Sequence, residues 1–73
     1  MLEIRLFASL RKGRSAIIKI PFEPGITGEK LLTLFSILKE DVSIFLVNGF
    51  HSSLNIEISD GDIISIFPPV GGG

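Results

Sequence analysis

Gly71-Gly72-Gly73 stands at the end of the sequence and is the run whose residue type points most directly to chemistry. A segment without Cβ atoms can lie extended in a cleft too narrow for any side chain, with its N–H and C=O groups paired to the walls. The carboxylate of Gly73 then becomes the group delivered to a partner. The same residues also read as a frayed end or a piece of glycine linker. Phe67-Pro68-Pro69-Val70, just ahead of them, favours presentation, because two prolines fix φ and hold the glycines away from the domain.

Conventional active-site motifs are missing elsewhere. The absence of cysteine excludes a disulfide framework, a thiolate nucleophile and sulfur-ligated zinc. His51, the only imidazole, lies in Phe50-His51-Ser52-Ser53 and reads as a solvated loop residue. One histidine with scattered carboxylates is a weak ligand set, so no metal site is expected. Asp60-Gly61-Asp62 lacks the remainder of a calcium loop and reads as a tight turn. No serine sits in a Gly-x-Ser-x-Gly elbow, and the glycines lack phosphate-loop spacing.

Charge narrows the partners. A net charge of −1 gives no global basic field for nucleic acid or anionic lipid. Arg5, Arg11, Lys12, Arg14 and Lys19 nevertheless gather in the first part of the chain, as a docking patch or a solvated face. The apolar runs are of strand length, far short of the roughly 20 residues of a membrane span. Charges inside Met1-Leu2-Glu3-Ile4-Arg5 are unlike a secretory signal, and a cytoplasmic protein is expected.

The elements that must hold the glycines follow from periodicity. A chain of 73 residues, 45% of them hydrophobic, has room for one core. Leu2 to Phe7 alternates as a half-buried strand, and Ala16 to Ile20 is a β-branched run across a turn at Arg11-Lys12-Gly13-Arg14, so the two predict a hairpin. Pro21, Pro24 and Gly25 end the pairing. Thr27 is placed to cap a helix with Glu29 in its first turn. Leu31, Leu34, Phe35 and Leu38, at i, i+3, i+4 and i+7, predict its buried stripe, widened by Leu32 and Ile37. Further strands are expected at Ser43 to Val47, closed by Asn48-Gly49, then briefly at Leu54 to Ile58, and at Ile63 to Phe67 after Asp60-Gly61-Asp62. The fold class is α+β: a mixed sheet of four to five strands with one main helix packed on one face. If Ile64 and Ile66 turn toward the helix, then Ile63, Ser65 and Phe67 turn to the open face and offer an apolar docking strip.

Leu6-Phe7-Ala8 with Leu10-Arg11, Val47-Asn48-Gly49, and Asp60-Gly61-Asp62 followed by Phe67-Pro68-Pro69-Val70-Gly71-Gly72-Gly73 resemble the MoaD/ThiS-type ubiquitin-like sulfur carriers of molybdopterin and thiamine biosynthesis, most of all the small subunit of molybdopterin synthase. The resemblance implies a ubiquitin-like β-grasp domain over residues 1–70 and a flexible tail over 71–73. It implies no catalysis by the chain itself. An E1-like adenylyltransferase (MoeB/ThiF-type), which brings the ATP and Mg²⁺, would activate Gly73 as the glycyl-adenylate and thioglycine position. Gly71 and Gly72 would thread into the partner, with Phe67, Pro68, Pro69, Val70, Ile63 and Ser65 as docking residues. The sulfur would pass to a pterin precursor in the large synthase subunit (MoaE-type), and the carrier would be a monomer when free. A thiamine-thiazole sulfur carrier and a ubiquitin-like modifier conjugated through Gly73 are the alternatives.

Overall fold

Alternation decides which side chains reach the core. In β1 (Leu2–Leu6) the side chains of Leu2, Ile4 and Leu6 are fully buried, while Glu3 and Arg5 face out. In β5 (Ile63–Phe67) Ile64 and Ile66 are fully buried between partly exposed neighbours. The computed structural model of the chain describes residues 1–69. Val70, Gly71, Gly72 and Gly73, on which the expected domain end and the glycine tail fall, lie outside the described residues.

Five strands form one mixed sheet in the order β2-β1-β5-β3-β4, with β2 at Ile17–Ile20, β3 at Ile44–Val47 and β4 at Phe50–His51. The hairpin of β1 and β2 is antiparallel, as expected, with Ile4 opposite Ile18. A 3₁₀ turn over Ala8–Arg11, which periodicity did not predict, precedes the connection between them. β5 enters parallel to β1 and antiparallel to β3, so the last strand lies at the centre of the sheet. Helix α1 (Gly28–Leu34) and the core lie on one face, and the other face is open. This is the α+β, β-grasp architecture.

Thr27 caps α1 as expected, its Oγ1 accepting from the Lys30 N–H at 3.3 Å. The expected stripe is corrected. Leu31, Leu32 and Ile37 are buried and Phe35 half-buried, but Leu34 is 60% exposed and Leu38 58%. The face that meets the sheet runs Gly28, Leu31, Leu32, Phe35. Gly28 brings no side chain to the first position, and neighbours occupy the space: a Cβ there would stand 2.7 Å from Phe45 Cζ and 3.0 Å from the Leu54 carbonyl oxygen. The helix also stops early. Ser36 takes φ 58°, the Ile37 N–H donates to Leu32 O at 2.8 Å and the Ser36 N–H to Thr33 O at 3.1 Å, a Schellman closure that leaves Leu38 beyond the helix.

Two more expectations change. Leu54 to Ile58 forms no strand; its one sheet-like feature is an isolated bridge between Thr27 and Glu57. The short strand is Phe50–His51 instead, so His51 sits on an edge strand, exposed, rather than in a loop.

Candidate functional site

β5 is paired on both sides until it ends. The Phe7 N–H donates to Ile66 O at 3.2 Å from one neighbour, and the Ser43 N–H donates to Phe67 O at 2.8 Å from the other. Pro68 and Pro69 follow, and neither has an N–H to extend a ladder. The central strand, paired on both sides, thus hands over directly to the segment that precedes the glycines.

Side chains fix the handover further. The rings of Phe67 and Phe7 stack with centroids 4.1 Å apart and planes 9° apart. The Arg11 guanidinium carbon stands 5.6 Å from the Phe7 centroid, within cation–π range. Arg11 is itself anchored, its Nε donating to Leu6 O at 2.9 Å. Pro68 and Pro69 lie between two clefts. One, of about 500 Å³, is largely apolar and bounded by Ala8, Ser43, Ile44 and Phe67. The other, of about 290 Å³, is more polar and bounded by Arg14, Ser36 and Asp41.

Of the residues expected to dock a partner, Ile63, Ser65, Phe67 and Pro68 are half-buried and Pro69 is exposed. Register places Ile63 beside Glu3, Ser65 between Arg5 and Leu46, and Phe67 beside Ile44, all on the open face. Val70, Gly71, Gly72 and Gly73 lie outside the described residues. Ile44, Leu46 and Phe67 make one half of the face apolar. Toward β1 and β2 it becomes charged, with Lys19 opposite Glu3 and Arg5 Nε 2.6 Å from Glu3 Oε2. Ile44 and Leu46 were not singled out from the sequence, although the alternation of their strand placed them outward. Phe7 is expected only as the end of the first strand and Arg11 only as a turn and basic-cluster residue, so their stacking beside Phe67 is not foreseen.

The basic cluster divides by role. Arg14 is spent on the fold: its guanidinium donates to Phe35 O at 3.1 Å, Leu10 O at 3.2 Å and Ser36 O at 3.3 Å, holding the end of α1. Lys12 and Lys19 are exposed. Among the described residues no three or more His, Asp and Glu side chains gather to hold a metal, and no helix is long and apolar enough to cross a membrane.

The chain is similar to several solved structures. It shares 31% identity with a chain in the complex of subunits 1 and 2 of molybdopterin-converting factor from Helicobacter pylori 26695, covering 99% of this chain and 97% of that one at a TM-score of 0.59. It shares 26% with a Pyrococcus furiosus protein assigned as molybdopterin converting factor, subunit 1, covering 94% and 97% at 0.76. It shares 25% with SAMP1 from Haloferax volcanii, covering 99% and 98% at 0.74. No curated protein sequence matches. The profile of the ThiS family matches residues 4–73. A five-stranded mixed sheet crossed by one helix, a Phe-Pro-Pro exit from its central strand and a match over nearly the whole sequence place this chain in the ThiS family of MoaD/ThiS-type carriers.

Proposed function

We propose that the chain is a sulfur carrier, charged at Gly73 and serving as the small subunit of molybdopterin synthase. A carboxylate is a poor electrophile, so an E1-like partner must first activate it. A Gly73 carboxylate oxygen attacks the α-phosphorus of ATP, the α–β phosphoanhydride breaks and pyrophosphate leaves. Hydrosulfide then attacks the acyl carbon; a C–S bond forms, the acyl–phosphate bond breaks, AMP leaves, and loss of the S–H proton to solvent gives the thiocarboxylate. That soft anion would deliver sulfur to a pterin precursor inside a large subunit. ATP and Mg²⁺ belong to the activating partner, and this chain contributes the terminus and a surface that presents it.

The observation that carries the reading is the end of β5. A central strand, paired on both sides, runs into Phe67-Pro68-Pro69 immediately before Val70-Gly71-Gly72-Gly73, in a chain 31% identical to one from a two-subunit molybdopterin-converting complex. The apolar strip of Ile44, Leu46, Ile63 and Phe67 runs along β3 and β5 up to that exit and would dock the partner. A second reading, conjugation of Gly73 to lysines as a ubiquitin-like modifier, draws support from the likeness to SAMP1, and the family profile equally suits a thiazole sulfur carrier.

The acceptor decides among them. Thiocarboxylated chain is offered to the large synthase subunit with pterin precursor, to the thiazole-forming enzyme with its substrates, and to a cell extract supplied with ATP and activating enzyme. Loss of the sulfur to the pterin alone is the expected result. Loss to the thiazole, or the appearance of lysine adducts, would transfer the chain to the corresponding alternative.

A further inference from the structure

We infer that Phe7, held by Arg11, is a positioning residue that acts through Phe67 to set the direction in which the chain leaves the sheet at Pro68. The inference rests on the carrier reading above and adds to it a residue outside the threading segment and the apolar strip.

Neither ring of the stacked pair belongs to the hydrophobic core, which is closed by other residues on the helix side of the sheet. The stack sits instead on the open face, at the point where β5 stops. Two constraints meet on Phe67: its carbonyl is held by the Ser43 N–H at 2.8 Å, and its ring lies 4.1 Å from that of Phe7. With main chain and side chain of Phe67 both fixed and the φ angles of Pro68 and Pro69 restricted by their rings, little freedom remains in the exit vector.

The support for Phe7 is itself built at a conformational expense. Ala8 takes φ 52°, a left-handed conformation that L-residues other than Asn and Asp seldom adopt. That turn starts the 3₁₀ segment Ala8–Arg11 directly after Phe7 and brings Arg11 back to donate to Leu6 O at 2.9 Å and to stand over the Phe7 ring. The Arg11 charge adds an attraction to the Phe7 π-cloud. A strained residue and a placed cation thus both serve a surface aromatic pair, and backbone strain of this kind gathers at functional sites.

Positioning and docking differ in what they change. An exit vector out of line lowers the fraction of docked complexes whose glycyl carboxylate reaches the reacting phosphorus, which lowers the maximal rate; a lost contact with the partner weakens binding. The experiment is single-turnover pyrophosphate release with ATP and the source organism's activating enzyme, titrated with full-length chain, with Phe7→Leu and with Phe7→Tyr. Phe7→Leu is expected to lower the maximal rate about tenfold and to leave the half-saturating concentration within about twofold, and Phe7→Tyr, which keeps the ring plane, to restore the rate. In the unaltered chain the Phe67 ring protons are expected upfield, shielded by the facing ring, a measurement that does not depend on how any variant folds. An unchanged rate for Phe7→Leu, a loss confined to the half-saturating concentration, or unshielded Phe67 protons would each overturn the inference while leaving the carrier reading intact. Failure of the unaltered chain to release pyrophosphate would overturn the carrier reading, and the inference with it.

Discussion

The Asn48 side chain joins the turn after β3 to the residue that begins β5: its Nδ2 donates to Asp62 Oδ1 at 2.9 Å while its Oδ1 accepts from the Ile63 N–H at 2.9 Å. Asp62 completes the clamp, its Oδ2 accepting from the Ser59 N–H at 2.8 Å. Val47-Asn48-Gly49 and Asp60-Gly61-Asp62, two turns far apart in sequence, therefore act as one joint that sets the register of the central strand. Asn48 and Gly49 have φ of 52° and 86°, the pair of positive values that closes a tight two-residue hairpin.

Replacing Asn48 separates the two roles. Asn48→Ala loses the side-chain hydrogen bonds and forces an unfavoured left-handed residue, and is expected to destabilise the fold by about 1–3 kcal/mol. Asn48→Gly loses the hydrogen bonds alone and should fall about 1 kcal/mol short of that. Urea midpoints at constant m-value measure both; equal stability of the two variants would remove the conformational part of the account.

Gly28→Ala raises helix propensity by about 1 kcal/mol yet is expected to lower stability by about 1–3 kcal/mol. Its Cβ would enter the space of Phe45 Cζ, 2.7 Å away, and approach the Leu54 carbonyl that accepts the Glu29 N–H at 3.0 Å. Thermal unfolding decides the sign, and a stabilised variant would mean that α1 can stand further from the sheet.

The end of α1 offers opposite signs at two positions. Ser36→Gly relieves a residue at φ 58° and is expected to gain about 0.5–1 kcal/mol. Arg14→Met keeps an aliphatic stem but abandons the carbonyls of Phe35, Leu10 and Ser36, and should lose about 1–2 kcal/mol. Chemical denaturation of both variants is the check, and a neutral Arg14→Met would reduce its hydrogen bonds to surface decoration.

What the sequence disclosed tracks how local the cause was. Leu2, Ile4 and Leu6 in β1, Ile64 and Ile66 in β5, the Thr27 cap and the Asn48-Gly49 turn each depend on neighbours within a few residues, and each was legible. The helix face differs from the expected stripe because Gly28 scores as a non-apolar position although Phe45, from strand β3, fills its space. The helix end was misread because Ser36 occupies a position usually held by glycine. Leu54, Ile56 and Ile58 alternate like a strand, but main-chain pairing needs a partner edge, and that segment has only one bridge. At the candidate site the outward side of β5 could be read from its alternation. The Phe7 stack could not, since it arises from parallel pairing between the first and last strands of the chain.

Intact mass of the chain after incubation with its activating enzyme, ATP and a sulfur donor tests the central claim most directly. Exchange of one oxygen for sulfur, located to Gly73 by fragmentation and absent when Gly73 is deleted, is the predicted result. An unchanged mass with an enzyme and donor that charge a known carrier of the family would contradict it.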